Sequence, residues 1–119
     1  MMYKIILDTS FILTALKFRI DIFSELERIC DFPYELFIID KTINELKDKQ
    51  NSKLALDLIN KKDIEVIKTK KDKNVDYLIL DLVDKDYIVA TQDIGLKNQL
   101  KDKGIKIITI RQKRHLLME

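Results

Sequence analysis

The chain has 119 residues, a hydrophobic fraction of 46%, a charged fraction of 35% and a formal net charge of +2. That length and balance suit one compact soluble domain and argue against disorder, and the small net charge does not mark the whole chain as a nucleic-acid binder. A single Cys30 and a single His115 leave no internal disulfide, no cysteine-based metal finger and one imidazole near the carboxyl terminus, so any catalysis has to run on carboxylates.

Taken in chain order, short β-branched or aromatic runs alternate with stretches of helical periodicity. "YKIIL" (3–7) predicts a first strand, and Lys4 and Asp8 interrupt its apolar run too early for a signal peptide. Residues 10–18 and 21–30 predict one or two helices; their apolar Phe11, Ile12, Leu16, Ile22, Phe23 and Leu26 exceed what one sheet face needs and suggest pairing with a second copy. "LFII" (36–39) predicts the second strand, followed by helices over 43–49 and 51–61. "IEVI" (64–67), a helix over 75–85, "YIVA" (87–90), a helix over 94–103 closed by Gly104, and "IKIITI" (105–110) complete the pattern. No apolar run reaches the roughly 18 residues of a membrane span, which predicts a cytoplasmic protein without a membrane partner. With two glycines, one proline and no repeat, residues 1–119 read as a single domain.

Strands alternating with helices imply parallel crossovers and a sheet covered on both faces. Chemistry in such sheets gathers outside the carboxyl ends of the strands. Asp8 ends the first strand, Asp40 the second, and Asp93 follows the fourth by two residues; Glu45 and Asp76 fall in helical first turns. Each has an ordinary reading. Asp8 and Asp93 suit helix N-caps, Thr42 and Glu45 in "TINE" form a capping box with Lys49 in reach of Glu45, and Asp76 is favoured by the helix dipole. Asp40 reads as a strand-end or capping residue.

Asp76 is the hardest of these to explain as structural. On a wheel of about 100° per residue, Val75, Leu78, Ile79, Leu82 and Val83 form one apolar arc, Asp81 and Asp84 lie opposite, and Asp76 falls at the arc's flank. A carboxylate there needs compensation, and a bound cation supplies it. Four acids at one sheet edge raise each other's pKa, and hard oxygen ligands in that number suit Mg²⁺ or Mn²⁺, which acidify water and offset charge on phosphoryl oxygens.

"ILDTSFIL" (6–13), "IIDKTINELKDK" (38–49), "VDYLI" (75–79) and "YIVATQDIGLKNQLK" (87–101) resemble, in order and spacing, the four acidic motifs of PIN-domain ribonucleases, across essentially the whole chain. The likeness is to the archaeal single-domain branch, similar both to small-subunit rRNA-processing PIN proteins and to VapC-type toxins. It implies a three-layer α/β/α fold with a five-stranded parallel sheet in the order 3-2-1-4-5, and RNA cleavage with one or two Mg²⁺ or Mn²⁺ ions. By position it makes Asp8 the central metal ligand, places Glu45, Asp76 and Asp93 with it as catalytic and metal-binding acids, and gives Ser10 and Thr91 supporting roles as hydroxyl neighbours. Two departures stand out: Tyr77 replaces a second adjacent acid common in relatives, and Ser10 stands where Asn is common.

Two basic stretches are candidate RNA contacts. Residues 61–73, "KKDIEVIKTKKDK", carry six Lys against three acids, with Lys68, Lys70, Lys71 and Lys73 nearest the Asp76 helix; Arg111, Lys113 and Arg114 follow the last strand. Plain solvated surface is the alternative for both. For the whole chain, the alternative to an endoribonuclease is a catalytically silent PIN-fold scaffold that binds RNA or protein, motivated by Tyr77. A haloacid dehalogenase-like phosphatase is disfavoured because it wants an acid where Ser10 stands. The enzyme reading leaves open an antitoxin partner, pre-ribosomal partners and a homodimer.

Overall fold

The computed structural model describes residues 2–119. Its elements are β1 (Tyr3–Leu7), α1 (Thr9–Lys17), α2 (Ile22–Ile29), β2 (Tyr34–Ile39), α3 (Asp40–Lys47), α4 (Ser52–Lys61), β3 (Ile64–Ile67), α5 (Val75–Leu82), β4 (Tyr87–Ala90), α6 (Ile94–Asp102), β5 (Lys106–Arg111) and β6 (His115–Met118). The sheet order is β3-β2-β1-β4-β5-β6, with every pair parallel except β5 and β6. The three-layer α/β/α fold and the order of the five parallel strands therefore match the expectation, and a sixth, antiparallel strand extends it.

Alternation along the strands explains the layers, because successive side chains point to opposite faces. Ile5 and Leu7 of β1, Ile88 and Ala90 of β4 and Ile108 and Ile110 of β5 pack with Phe11, Ile12, Ile22, Leu26, Leu46 and Ala55 of α1 to α4. Ile6, Val89 and Ile107 pack on the other face with Val75, Leu78, Ile79, Leu96 and Leu100 of α5 and α6. Phe11, Ile12, Ile22 and Leu26 are buried in the chain's own core, and Leu16 and Phe23 pack against it. Four of the six apolar side chains singled out on the first two helices are thus buried in the chain's own core, while Leu16 and Phe23 are half-buried.

Helix ends account for most of the boundary differences. α6 stops as its glycine predicts: Gly104 adopts φ 76, its N–H donates to the Lys101 carbonyl at 2.9 Å, and the Ile105 N–H donates to Leu100 at 3.0 Å. α3 begins at Asp40, earlier than the expected 43, so Thr42 lies inside the helix. The Thr42 and Glu45 capping box therefore does not form, and the buried Thr42 hydroxyl has no partner among the described residues. Asp40 instead ties α3 to the segment after β3. It accepts from the Lys41 and Thr69 N–H groups at 2.9 and 3.0 Å and from the Thr69 hydroxyl at 2.7 Å. Burial alone would raise its pKa, but these bonds, with Thr69 foremost, hold it below the ordinary carboxylate range.

β6 comes from the basic tail. Gln112 and Lys113 both adopt positive φ, 55 and 56, and the Arg114 N–H donates to Arg111 at 3.1 Å, closing a tight turn between the paired Arg111 and His115. Such turns ordinarily carry Asn-Gly or Asp-Gly, which is why "RQKR" gives no strand signal. The outer edge of β6 is occupied by α2: the Leu116 N–H donates to Glu25 at 2.8 Å and Arg28 donates to the Leu116 carbonyl at 2.9 Å. The Leu116 side chain is 1% exposed. Leu116→Ala should therefore cost about 2–5 kcal/mol, read as a lower urea midpoint. A change below about 0.5 kcal/mol would mean that β6 is not integral to the core.

Candidate active site

Parallel register assembles the site. β1 and β4 pair Leu7 with Ala90, and the Asp8 N–H continues the ladder by donating to the Ala90 carbonyl at 2.9 Å. The next residues along each strand, Asp8 and Thr91, are therefore neighbours. The Thr91 hydroxyl donates to Asp8 Oδ2 at 2.7 Å, and the Ser10 hydroxyl donates to the same oxygen at 2.8 Å. Each hydroxyl also accepts a backbone N–H from the segment after β4: Ser10 from Gln92 and Thr91 from Asp93, both at 3.1 Å. A hydroxyl that accepts from behind has its proton aimed forward, so both are set to donate to Asp8.

Asp8 stands at the N-cap position of α1, yet its side chain makes no cap bond. The capping reading fails because the hydroxyls claim the carboxylate. Asp8 is 3% exposed, and burial raises its pKa; the Thr91 and Ser10 bonds oppose the rise, and the Glu45 charge adds to it. Asp93 does cap: its Oδ1 accepts the Leu96 N–H at 3.0 Å, leaving the second oxygen outside that bond. On α5 the cap is Asn74, which accepts the Tyr77 N–H at 2.9 Å. Asp76 is therefore released from structural duty.

Asp8, Glu45, Asp76 and Asp93 line one pocket of about 360 Å³. Asp76 is pushed up to about 6, by burial first, then by the charges of Asp8, Asp93 and Glu45 and a proton shared with Asp93. Glu45 is oriented by the Thr9 hydroxyl, which donates to its Oε1. Lys49 is the one cationic residue lining the pocket among those described, but it forms no ion pair with Glu45. Among the described residues no three of these groups converge on a single point as a closed metal cage.

All four predicted acids and both predicted hydroxyls thus come together. Thr9, Lys49 and Asn74 were missed as parts of the site; adjacent hydroxyls in "DTS" were the legible signal for Thr9. Gln92 was also missed: its side-chain oxygen accepts from the Ile110 N–H at 2.7 Å and the Thr109 hydroxyl at 2.8 Å, fastening the segment after β4 to β5. The predicted cations fare differently. Lys68, Lys70 and Arg114 are exposed. Lys71 pairs with Asp81 at 2.9 Å, and both it and Lys73 lie over the Tyr77 ring. Arg111 pairs with Glu119 at 3.1 Å, and Lys113 lies over the Phe18 ring. None of these seven lines the pocket.

Fold and pocket together define an α/β protein with a carboxylate-lined site at the ends of its central parallel strands. A family model described as a PIN-like domain matches residues 5–113. Ribonuclease VapC4 of Methanocaldococcus jannaschii is 32% identical over 130 aligned residues, covering 96% of this chain and 95% of that protein. The structure of the PIN domain endonuclease Utp24 aligns with a TM-score of 0.87 at 29% identity, over 98% of this chain and 91% of that one. The chain belongs to the PIN-like domain family.

The raised Asp76 pKa sets a pH dependence. Between about pH 4 and 6 the folded chain holds a proton that the unfolded chain has released, so this contribution to stability falls as pH rises through that window. Asp76→Asn in chelator should therefore raise the melting temperature at pH 7.5, by the equivalent of about 1 kcal/mol once solvent screening is allowed for, and leave it unchanged near pH 4. Thermal melts across that range check this; a loss at pH 7.5, or an equal shift at both ends, contradicts it.

Proposed function

We propose that the chain is a single-domain, metal-dependent endoribonuclease that hydrolyses RNA phosphodiester bonds at the acidic pocket. The observation that carries this reading is the convergence of four carboxylates on one pocket, with Asp76 raised by burial and then by the charges of the other three. The donor set fits a hard divalent ion such as Mg²⁺ or Mn²⁺, because it offers carboxylate oxygens and no imidazole or thiolate. Each of three acids has one oxygen engaged by the protein: Asp8 Oδ2 by two hydroxyls, Asp93 Oδ1 by the Leu96 N–H and Glu45 Oε1 by Thr9. Asp8 and Glu45 are thus each oriented through one oxygen without being saturated, while Asp93 also faces Asp76.

A bound ion supplies acidified water and offsets the charge that builds on the phosphoryl oxygens. Asp8, Asp76, Asp93 and Glu45 would hold the ion, and Ser10 and Thr91 keep Asp8 in one rotamer. Tyr77, in the place of a second acid, is 43% exposed and held by Lys71 and Lys73, which supports a site built on these four acids alone.

Support for RNA as the substrate comes from relatives named as a ribonuclease and a PIN domain endonuclease. A cytoplasmic setting belongs to the same reading; no helix of the described residues is long and apolar enough to cross a membrane. Toxin-like and rRNA-processing roles are separated by the partner, an antitoxin or a pre-ribosomal particle, and a homodimer by sedimentation.

Asp8→Asn and Asp93→Asn should each lower Mn²⁺-dependent cleavage of RNA by about 100-fold or more while the chain stays folded. Ser10→Ala or Thr91→Val, acting on ligand orientation, should cost about 10–100-fold. Cleavage assays with circular dichroism on the same samples check both. Full activity in both Asn variants, or chelator-insensitive RNA binding without turnover by the unaltered chain, would replace the nuclease with a silent scaffold.

A further inference from the structure

The acidic pocket opens sideways into a second concavity. Leu13 and Lys49 line both, so the two are continuous, and the neighbour is the larger, about 630 against 360 Å³. It runs along α1 toward α4, lined by Leu13, Leu16 and the 58%-exposed Leu54, with Lys17, Arg19 and Lys49 as its charges and no acid. Among the described residues none of these three cations forms an ion pair. Lys17 lies over the Phe18 ring, and Lys113 of the β5–β6 turn lies over the same ring, which adds positive charge at the far end.

Arg19 carries an independent signal. α1 closes with the same bond pattern as α6: the Arg19 N–H donates to Leu16 at 3.2 Å and the Ile20 N–H to Ala15 at 2.9 Å. In α6 the left-handed position of that pattern is Gly104; in α1 it is Arg19, at φ 55. Glycine takes this conformation without strain, whereas a long side chain does not. Arg19 thus stands where glycine would be less strained, and its side chain lines the groove.

We propose that Lys17, Arg19 and Lys49 form the track that holds the backbone of single-stranded RNA as it runs from the acidic pocket along α1. The inference rests on the reading of the pocket as an RNA site, and it moves the principal backbone contacts away from the 68–73 loop. Unpaired cations hold phosphates, and the apolar floor accepts base faces. An acidic pocket repels a polyanion unless neighbouring positive charge offsets it, and this groove is the cationic surface continuous with the acids.

The test is fluorescence anisotropy with a fluorescein-labelled, mixed-sequence single-stranded RNA across a salt series, in the Asp8→Asn chain so that binding is read apart from turnover. Lys17→Gln/Arg19→Gln/Lys49→Gln should weaken binding by at least about tenfold and reduce the salt slope by about 2, near 0.7 per lost contact. The charge-matched control Lys4→Gln/Lys85→Gln/Lys106→Gln, toward the amino ends of the strands, should stay within about twofold. Arg19→Gly should weaken binding and at the same time raise the melting temperature, because glycine relieves the positive φ; a raised melting temperature with unchanged binding would remove Arg19 from the track. Unchanged binding in the groove variant, or equal weakening in the control, overturns the proposal. Conversion of a dimer to a monomer with RNA affinity unchanged assigns the groove to a second copy and also overturns it. Groove-dependent binding by a chain that never cleaves RNA keeps the track and removes the nuclease reading; persistent cleavage with groove-independent binding does the reverse.

Discussion

Two hydroxyls on one carboxylate oxygen hold this site together. Ser10 and Thr91 both donate to Asp8 Oδ2, and both accept N–H groups from the residues that follow β4. Asp8 is thereby locked to the segment that also positions Asp93, and the ends of the two central strands become one rigid unit. The bonds only partly offset the burial of Asp8, whose pKa stays raised. The fold carries this disfavoured charge because the β1–β4 register on one side and the Gln92 clamp onto β5 on the other leave the carboxylate nowhere else to go.

The remaining acids are arranged around that unit by different devices. Asp93 divides its oxygens, one committed to the α6 cap. Glu45 is turned inward by Thr9 from α1, the residue directly after Asp8, so the same turn orients two of the four acids. Asp76 is available because Asn74 has already capped α5. The protein thus satisfies its helix ends and still presents four carboxylates in one pocket, with Asp8 and Asp76 raised by burial and by neighbouring charge, an arrangement that is unfavourable for a bare scaffold and useful for a cation site.

Much of this was legible in the residue order. Strand and helix alternation identified the layers and the edge at which chemistry gathers, and the position of Asp76 on the flank of an apolar arc marked it as unexplained by packing. What could not be read was local geometry that breaks the usual residue preferences. The Gln112 and Lys113 turn lacks the residues a hairpin ordinarily uses, so β6 stayed hidden and its cations looked like a free tail. The expected capping box was lost because α3 starts earlier than "TINE" suggests, with Asp40 recruited by Thr69 across the fold. Lysine runs in sequence also misled: Lys71 and Arg111 are paired with acids, while the cations of the neighbouring groove, Lys17, Arg19 and Lys49, are scattered in sequence and meet where the end of α1 lies against the connection between α3 and α4.

The account depends on the four acids serving a cation rather than each serving its own helix. Anomalous diffraction from crystals soaked in Mn²⁺ reads this directly. A peak inside the pocket, within direct or water-mediated reach of Asp8, Asp76 and Asp93 and abolished by Asp8→Asn, is the predicted result. An empty pocket at millimolar Mn²⁺, with the four acids intact, would contradict it.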